Sequence, residues 1–172
     1  MVSKTNPSGN LVSVKEQQEN NFFYAPTASD EQEWDFSEQF RSSSHVFYCL
    51  SKPATESSCW VYASKLDGSE KRWLGIQLDV GSNAKGLLPS PDKKNILVIR
   101  EQKAIIINAD TLTQKEIAKA ESETEFGTYT GFPSFVPAGR WVDNATVELS
   151  IFSAGSLEEN SAPVEKKQIK IN

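Results

Sequence analysis

The sequence is poor in the groups on which conventional catalysis depends. It contains one histidine, one methionine and two cysteines. A zinc centre needs three or four converging Cys, His or carboxylate ligands, and no C-x-x-C pair is present. A nucleophile–base site would have to use His45, which stands at the start of a strand-like run and reads there as a surface or structural group. No G-x-S-x-G elbow, phosphate-cradling P-loop or H-E-x-x-H pair occurs. No run of Asp and Asn follows the order of an EF-hand. The reading is therefore of a protein that is not an enzyme and takes no cofactor and no metal, with an undetected hydrolase as a distant alternative. Basic excess is missing too. Lys and Arg number 18 against 23 Asp and Glu, a formal charge of −5. No Lys/Arg stripe is present to displace counterions, which sets nucleic acid aside as a partner. The longest apolar runs, such as Ile96-Leu97-Val98-Ile99 and Ile105-Ile106-Ile107, fall far short of the roughly 20 residues that span a bilayer.

What is present suits a packed domain: 172 residues, 38% of them hydrophobic and 10% aromatic, with a charged fraction of 24%. Residues 1–21 are rich in Ser, Asn, Gln and Lys and poor in large apolar groups, so they read as a flexible tail ahead of a single β domain over 22–172. Met1-Val2-Ser3-Lys4 leads into polar residues rather than an apolar h-region. Either the chain is cytoplasmic, or Met1 replaces a removed leader of a periplasmic or secreted protein; the cysteine pair favours the second. Between residues 29 and 40 two patterns compete. Ser29 followed by Asp30, Glu31 and Glu33 signals a helix start, and Phe36 and Phe40 would share a helical face. Trp34-Asp35-Phe36 alternates as a strand would.

From His45 onward short β-branched and aromatic runs alternate with turn residues, which is the all-β signal. Strands are expected at 45–50, 59–65, 71–78, 95–100, 104–108, 114–118, 134–136, 146–152 and 167–171. The links, including Leu66-Asp67-Gly68-Ser69 and Glu101-Gln102-Lys103, are too short for crossover helices, so the pairing must be antiparallel. Cys49 and Cys59 fall at the facing ends of adjacent strands. They fit a hairpin disulfide worth about 2–3 kcal/mol on the chain-entropy model, or else two buried thiols.

An internal repeat organises these strands. Ser64 to Lys71 aligns with Ile107 to Gln114, and Leu88-Pro89-Ser90-Pro91 with Phe132-Pro133-Ser134-Phe135. The offsets agree with the roughly 40–45 residues of one four-stranded propeller blade. Pro89-Ser90-Pro91-Asp92-Lys93-Lys94-Asn95-Ile96-Leu97-Val98 resembles the opening of blades in the periplasmic propeller of the Tol system and in prolyl peptidase propellers. Lys93 stands where their glycine is usual. Trp60-Val61-Tyr62 through Leu66-Asp67-Gly68-Ser69 resembles the close of the preceding blade. The resemblance implies an all-β fold of two or three four-stranded antiparallel blade-like sheets, an incomplete propeller; the helix start at Ser29 would add one short N-terminal helix.

With chemistry set aside, surface loops become the candidates. The segment 121–132 mixes Glu121, Glu123 and Glu125 with Ser122, Thr124, Phe126, Tyr129 and Phe132, a composition suited to protein contact. In the bland alternative its aromatics cap the core. The small residues Ser82 and Asn83 sit in a second loop narrow enough to enter a cleft, or in an ordinary connector. In broad design the chain is similar to periplasmic immunity proteins that neutralise peptidoglycan amidases of type VI secretion. That similarity implies a protein partner, such as an amidase effector, whose cleft a loop would block. A fragment or scaffold domain of a larger propeller is the alternative.

Overall fold

The computed structural model describes residues 4–5, 11–12, 29, 35–51, 58–79, 86–129, 135–157 and 161–171. These divide into two compact units, Met1–Leu78 and Asp79–Asn172, each built of antiparallel ladders. Of the short helix expected near Ser29, Ser29 itself is helical; its continuation over 30–34 lies outside the described residues.

In the first unit, β1 (Lys4–Thr5) and β2 (Leu11–Val12) form a two-residue ladder within the segment read as a tail. β3 (Asp35–Arg41), β4 (His45–Ser51), β5 (Ser58–Lys65) and β6 (Arg72–Asp79) follow in sheet order β3-β4-β5-β6, an uninterrupted meander. Strand wins over helix in 35–41; residues four apart share a face in either, so their spacing could not decide, and a bulge then separates them. The β3–β4 register shifts between Glu38 and Phe40, so Phe36 pairs with Leu50 whereas Phe40 pairs with Phe47. The extra residue turns two phenylalanines four apart onto opposite faces. One face gathers Leu50, Trp60, Tyr62 and Trp73, with Phe36 and Tyr48 at its border. The Phe36 ring meets Tyr62 edge-on at 5.1 Å, and Lys71 Nζ sits 4.1 Å from its centre. The other face packs Phe40 against Phe47, with ring centres 5.7 Å apart. Cys49 and Cys59 are bonded, with Cα atoms 5.2 Å apart. Because Cys49 pairs with Val61, Cys59 is its diagonal neighbour on the same face, a placement within disulfide reach.

The second unit opens with a meander of the same order: β7 (Leu87–Pro89), β8 (Asn95–Ile99), β9 (Lys103–Asn108) and β10 (Gln114–Lys119). One of the two repeat alignments is structural, whereas the other falls on Phe132-Pro133-Ser134, outside the described residues. Asp67 lies between the third and fourth strands of the first meander, and Asp110 between the third and fourth of the second. Lys93 adopts φ +62° in the β7–β8 turn, the left-handed conformation that glycine adopts most readily. Its N–H donates to Ser90 O at 2.9 Å. Asp92 binds the Ser90 hydroxyl at 2.7 Å, and that hydrogen bond is the main reason its carboxyl sits below the usual range.

The remaining strands are β11 (Thr124–Glu125), β12 (Gly127–Tyr129), β13 (Phe135–Pro137), β14 (Gly139–Trp141), β15 (Thr146–Ser153) and β16 (Glu165–Lys170). β11-β15-β14 is one hydrogen-bonded row, β16 pairs with the other edge of β15, and β12 pairs with β13. β13 and β14 are one strand bent at Ala138. The Ala138 N–H donates to Phe126 O at 2.9 Å, and its carbonyl accepts from Ser150 N at 2.8 Å. The bend requires close approach. A Cβ on Gly127 would stand 2.3 Å from Val136 O, and one on Gly139 would stand 2.5 Å from Ile99 Cδ1.

Leu97, Ile99, Ala104 and Ile106 from the second meander pack on Phe126, Phe135, Val147 and Leu149 in one core cluster. The opposite face of that meander, Ile96, Val98, Ile105 and Ile107, is buried as well. The outward face of the last sheet is polar. Arg140, Glu148 and Gln168 stand in register across β14, β15 and β16, and both Arg140 and Gln168 donate to the Glu148 carboxylate at 3.1 Å. Those bonds, Gln168 first, hold Glu148 below the ordinary carboxylate value. Phe152, opposite Glu125 at the far end of β15, is the buried apolar member of that face.

Candidate protein-binding site

At one end of the second unit three turns meet. The β8–β9 turn closes tightly, Arg100 N–H to Lys103 O at 2.7 Å, and its outer carbonyls hold the chain that leaves β10: Gln102 O accepts from Ala120 N at 2.9 Å and Glu101 O from Phe126 N at 2.7 Å. Glu121 O accepts from Thr124 N at 3.0 Å and from Thr124 Oγ1 at 3.2 Å, closing a turn between them. Past that turn, β11 lies along the end of β15, Thr124 opposite Ser153 and Glu125 opposite Phe152. The turn after β15 is tied in by Ala154 N to Glu123 O and Tyr129 N to Ser156 O, both 3.0 Å. Gly155 N donates to Glu125 Oε2 at 3.1 Å. Ser161 Oγ donates to Leu157 O.

Pairing sorts the acids of this end, since Glu125 alone of them lies in a strand. Glu101, Glu121 and Glu123 are exposed, whereas Glu125 turns inward. Tyr129 joins two of the turns. Its phenol donates to Glu101 Oε1 at 2.7 Å, and its ring meets Phe135 at 5.6 Å. Burial, then the hydrogen bond to Glu101, then the negative charges of Glu101 and Glu125 raise its pKa above the ordinary tyrosine value. The phenol therefore stays protonated and remains a donor at any physiological pH. Leu157, paired with Tyr129 by a single parallel bridge, is 56% exposed. The result is a backbone-braced rim that presents carboxylates and an apolar side chain.

The expected contact residues divide on this geometry. Ser122 is exposed in the 121–124 turn, and Thr124 is half-buried in β11. Phe126 is corrected: at 1% exposure it belongs to the core cluster, because the bend at Ala138 draws its backbone inward, so it presents no face to a partner. Tyr129 is half-buried, its ring against the core and its hydroxyl on the rim. Phe132, Ser82 and Asn83 lie outside the described residues. Sequence reasoning missed Glu101 and the 153–157 turn. The signal was faint, since neither adjoins 121–132 in the chain: the bond from Phe126 N to Glu101 O brings in the first, and the β11–β15 pairing the second.

Elsewhere, His45 is tied into its own turn. Its Nδ1 lies 3.0 Å from Ser44 Oγ, and its backbone N–H donates to Ser42 Oγ at 3.0 Å. This serine–histidine contact between adjacent residues was not anticipated; with the Ser42 bonds, it closes the β3–β4 hairpin. Among the described residues no three His, Cys, Asp or Glu side chains are grouped so as to hold a metal ion, and no helix is long and apolar enough to cross a membrane. No protein-family model matches the chain, and no curated protein matches it.

Proposed function

We propose that the protein is a non-catalytic binding module, an inhibitor of the immunity-protein type, whose acidic rim covers the active-site cleft of a partner enzyme. The braced rim carries this reading. Glu101, Glu121 and Glu123 are held outward on turns whose backbone groups are already bonded to one another, so little ordering entropy remains to be lost on contact. A net charge of −5 suits a basic partner and acts mainly on the association rate. The Cys49–Cys59 bond supports a periplasmic or secreted setting, where disulfides persist. A peptidoglycan amidase effector from such a compartment is the partner proposed. The two matching meanders favour the blade reading, and the polar outward face of the last sheet speaks against a further blade stacked there, hence against a scaffold in a larger propeller.

The test is inhibition of a purified amidase effector from the source cell, with association rates measured across a salt series. The double variant Glu121→Lys/Glu123→Lys should slow association about tenfold or more at low salt with an unchanged melting temperature. Leu157→Asp should speed dissociation. Full inhibition by both variants would move the contact away from this rim, and no inhibition by the unaltered protein would remove the inhibitor reading itself.

A further inference from the structure

Edge strands expose unpaired backbone groups, and natural sheets blunt them with bulges, prolines, short lengths or charge. The outer strands of the two meanders carry backbone interruptions. β3 has its bulge between Glu38 and Phe40. β6 has Gly75 at φ +74° in mid-strand. β7 is three residues long and ends in Pro89. β10 shifts register between Glu116 and Ala118. β16 has charge but no backbone interruption: its six residues pair with β15 from Glu165–Ile151 to Lys170–Thr146 without a shift, and no described strand pairs with its other edge. Ile171 N donates to Ala145 O, so by the alternation of an antiparallel ladder the N–H and C=O groups of Lys166, Gln168 and Lys170 face outward. All three residues are solvent-exposed.

We infer that β16 is a second binding surface, the acceptor edge for an extended acidic segment of a partner protein, which adds to the sheet as an antiparallel strand. Charge selects the occupant. The strand carries Lys166, Lys167 and Lys170 against Glu165 alone, within a chain of net charge −5. Two copies pairing about Gln168 would set Lys166 opposite Lys170, a directly opposed like-charge pair. An acidic strand instead places carboxylates beside Lys166 and Lys170 on the outward face. On the inward face it sets an apolar residue beside Ile169, which already packs on the core. Main-chain hydrogen bonds supply the affinity, and these side-chain positions supply the preference.

The probe is an end-capped peptide alternating glutamate and valine over the length of β16, compared with its lysine–valine counterpart. Each is added to the full chain while amide hydrogen exchange is followed residue by residue. The acidic peptide should slow exchange at Lys166, Gln168 and Lys170 about tenfold or more, and the basic peptide should not. Gln168→Pro removes an outward donor and should abolish the protection, whereas Gln168→Ala, which loses the same bond to Glu148, should retain it. If the proline variant does not fold, Lys166→Glu/Lys170→Glu decides, since it should reverse the peptide preference. Equal protection by both peptides, no protection by the acidic one, or protection that grows with protein concentration alone would each overturn the inference, the last in favour of self-pairing.

Discussion

The two large sheets of the second unit differ in how many of their faces are apolar. The β7–β10 sheet is covered twice: Leu97, Ile99, Ala104 and Ile106 on one side and Ile96, Val98, Ile105 and Ile107 on the other are all buried. The sheet centred on β15 is covered once, with Val147 and Leu149 inward and Arg140, Glu148 and Gln168 outward. Near-continuous apolar runs such as 96–99 belong to a sheet buried on both faces, and the alternating run 146–152 belongs to a sheet buried on one. The number of covered faces is thus written in the period of each strand.

Substitution can break this comparison. Val98→Asp places an unpaired charge on the second covered face and should cost about 4–5 kcal/mol, enough to prevent folding. Ser150→Lys, on the outward face of β15, should stay within about 0.5 kcal/mol. Similar urea midpoints for the two would mean that the faces are not distinct. Phe126→Ala should cost about 3–4 kcal/mol by emptying the shared core, and a melting temperature within a few degrees of the parent's would return this ring to the surface. Gly139→Ala sharpens the contact between the sheets, since its methyl would meet both Ile99 and Leu149. A loss of about 1–3 kcal/mol is expected, with part of it recovered by Ile99→Val.

The smallest effect concerns pH. Glu148 titrates below its ordinary 4.5, so the stability it confers is fully present above that value and is lost as pH falls through its folded pKa. The melting temperatures of the parent and Glu148→Gln should therefore differ slightly at neutral pH and converge in strong acid. A gap that widens on acidification would contradict the assigned bonds.

Much of the fold was legible because its strands are long and their turns carry specific residues. The runs 45–50, 59–65, 95–100, 104–108, 114–118 and 146–152 each lie on an observed strand within a residue or so at either end. The Asp67 and Asp110 turns revealed the repeat before any contact was known. Illegible stretches share a physical cause, local disruption of the two-residue period. A bulge in β3 sends Phe36 and Phe40 to opposite faces, where a helix or a regular strand would have kept them on one. β12 and β14 are three-residue strands that begin on glycines needed for close approach, and composition reads those glycines as loop. The candidate rim was half legible. Its acids stood out in 121–125, but the burial of Glu125 depends on the β11–β15 pairing and that of Phe126 on the bend at Ala138, contacts that join residues distant in the chain.

That pairing also bears on the order of assembly. The strands of both meanders pair with chain neighbours, so each hairpin can zip up from its own turn at small loop-closure cost. β11 must wait for β15, with β12, β13 and β14 lying between them in the chain. A nascent chain would therefore hold both meanders before its acidic end exists, and the surface proposed to meet a partner would be the last part of the molecule to mature.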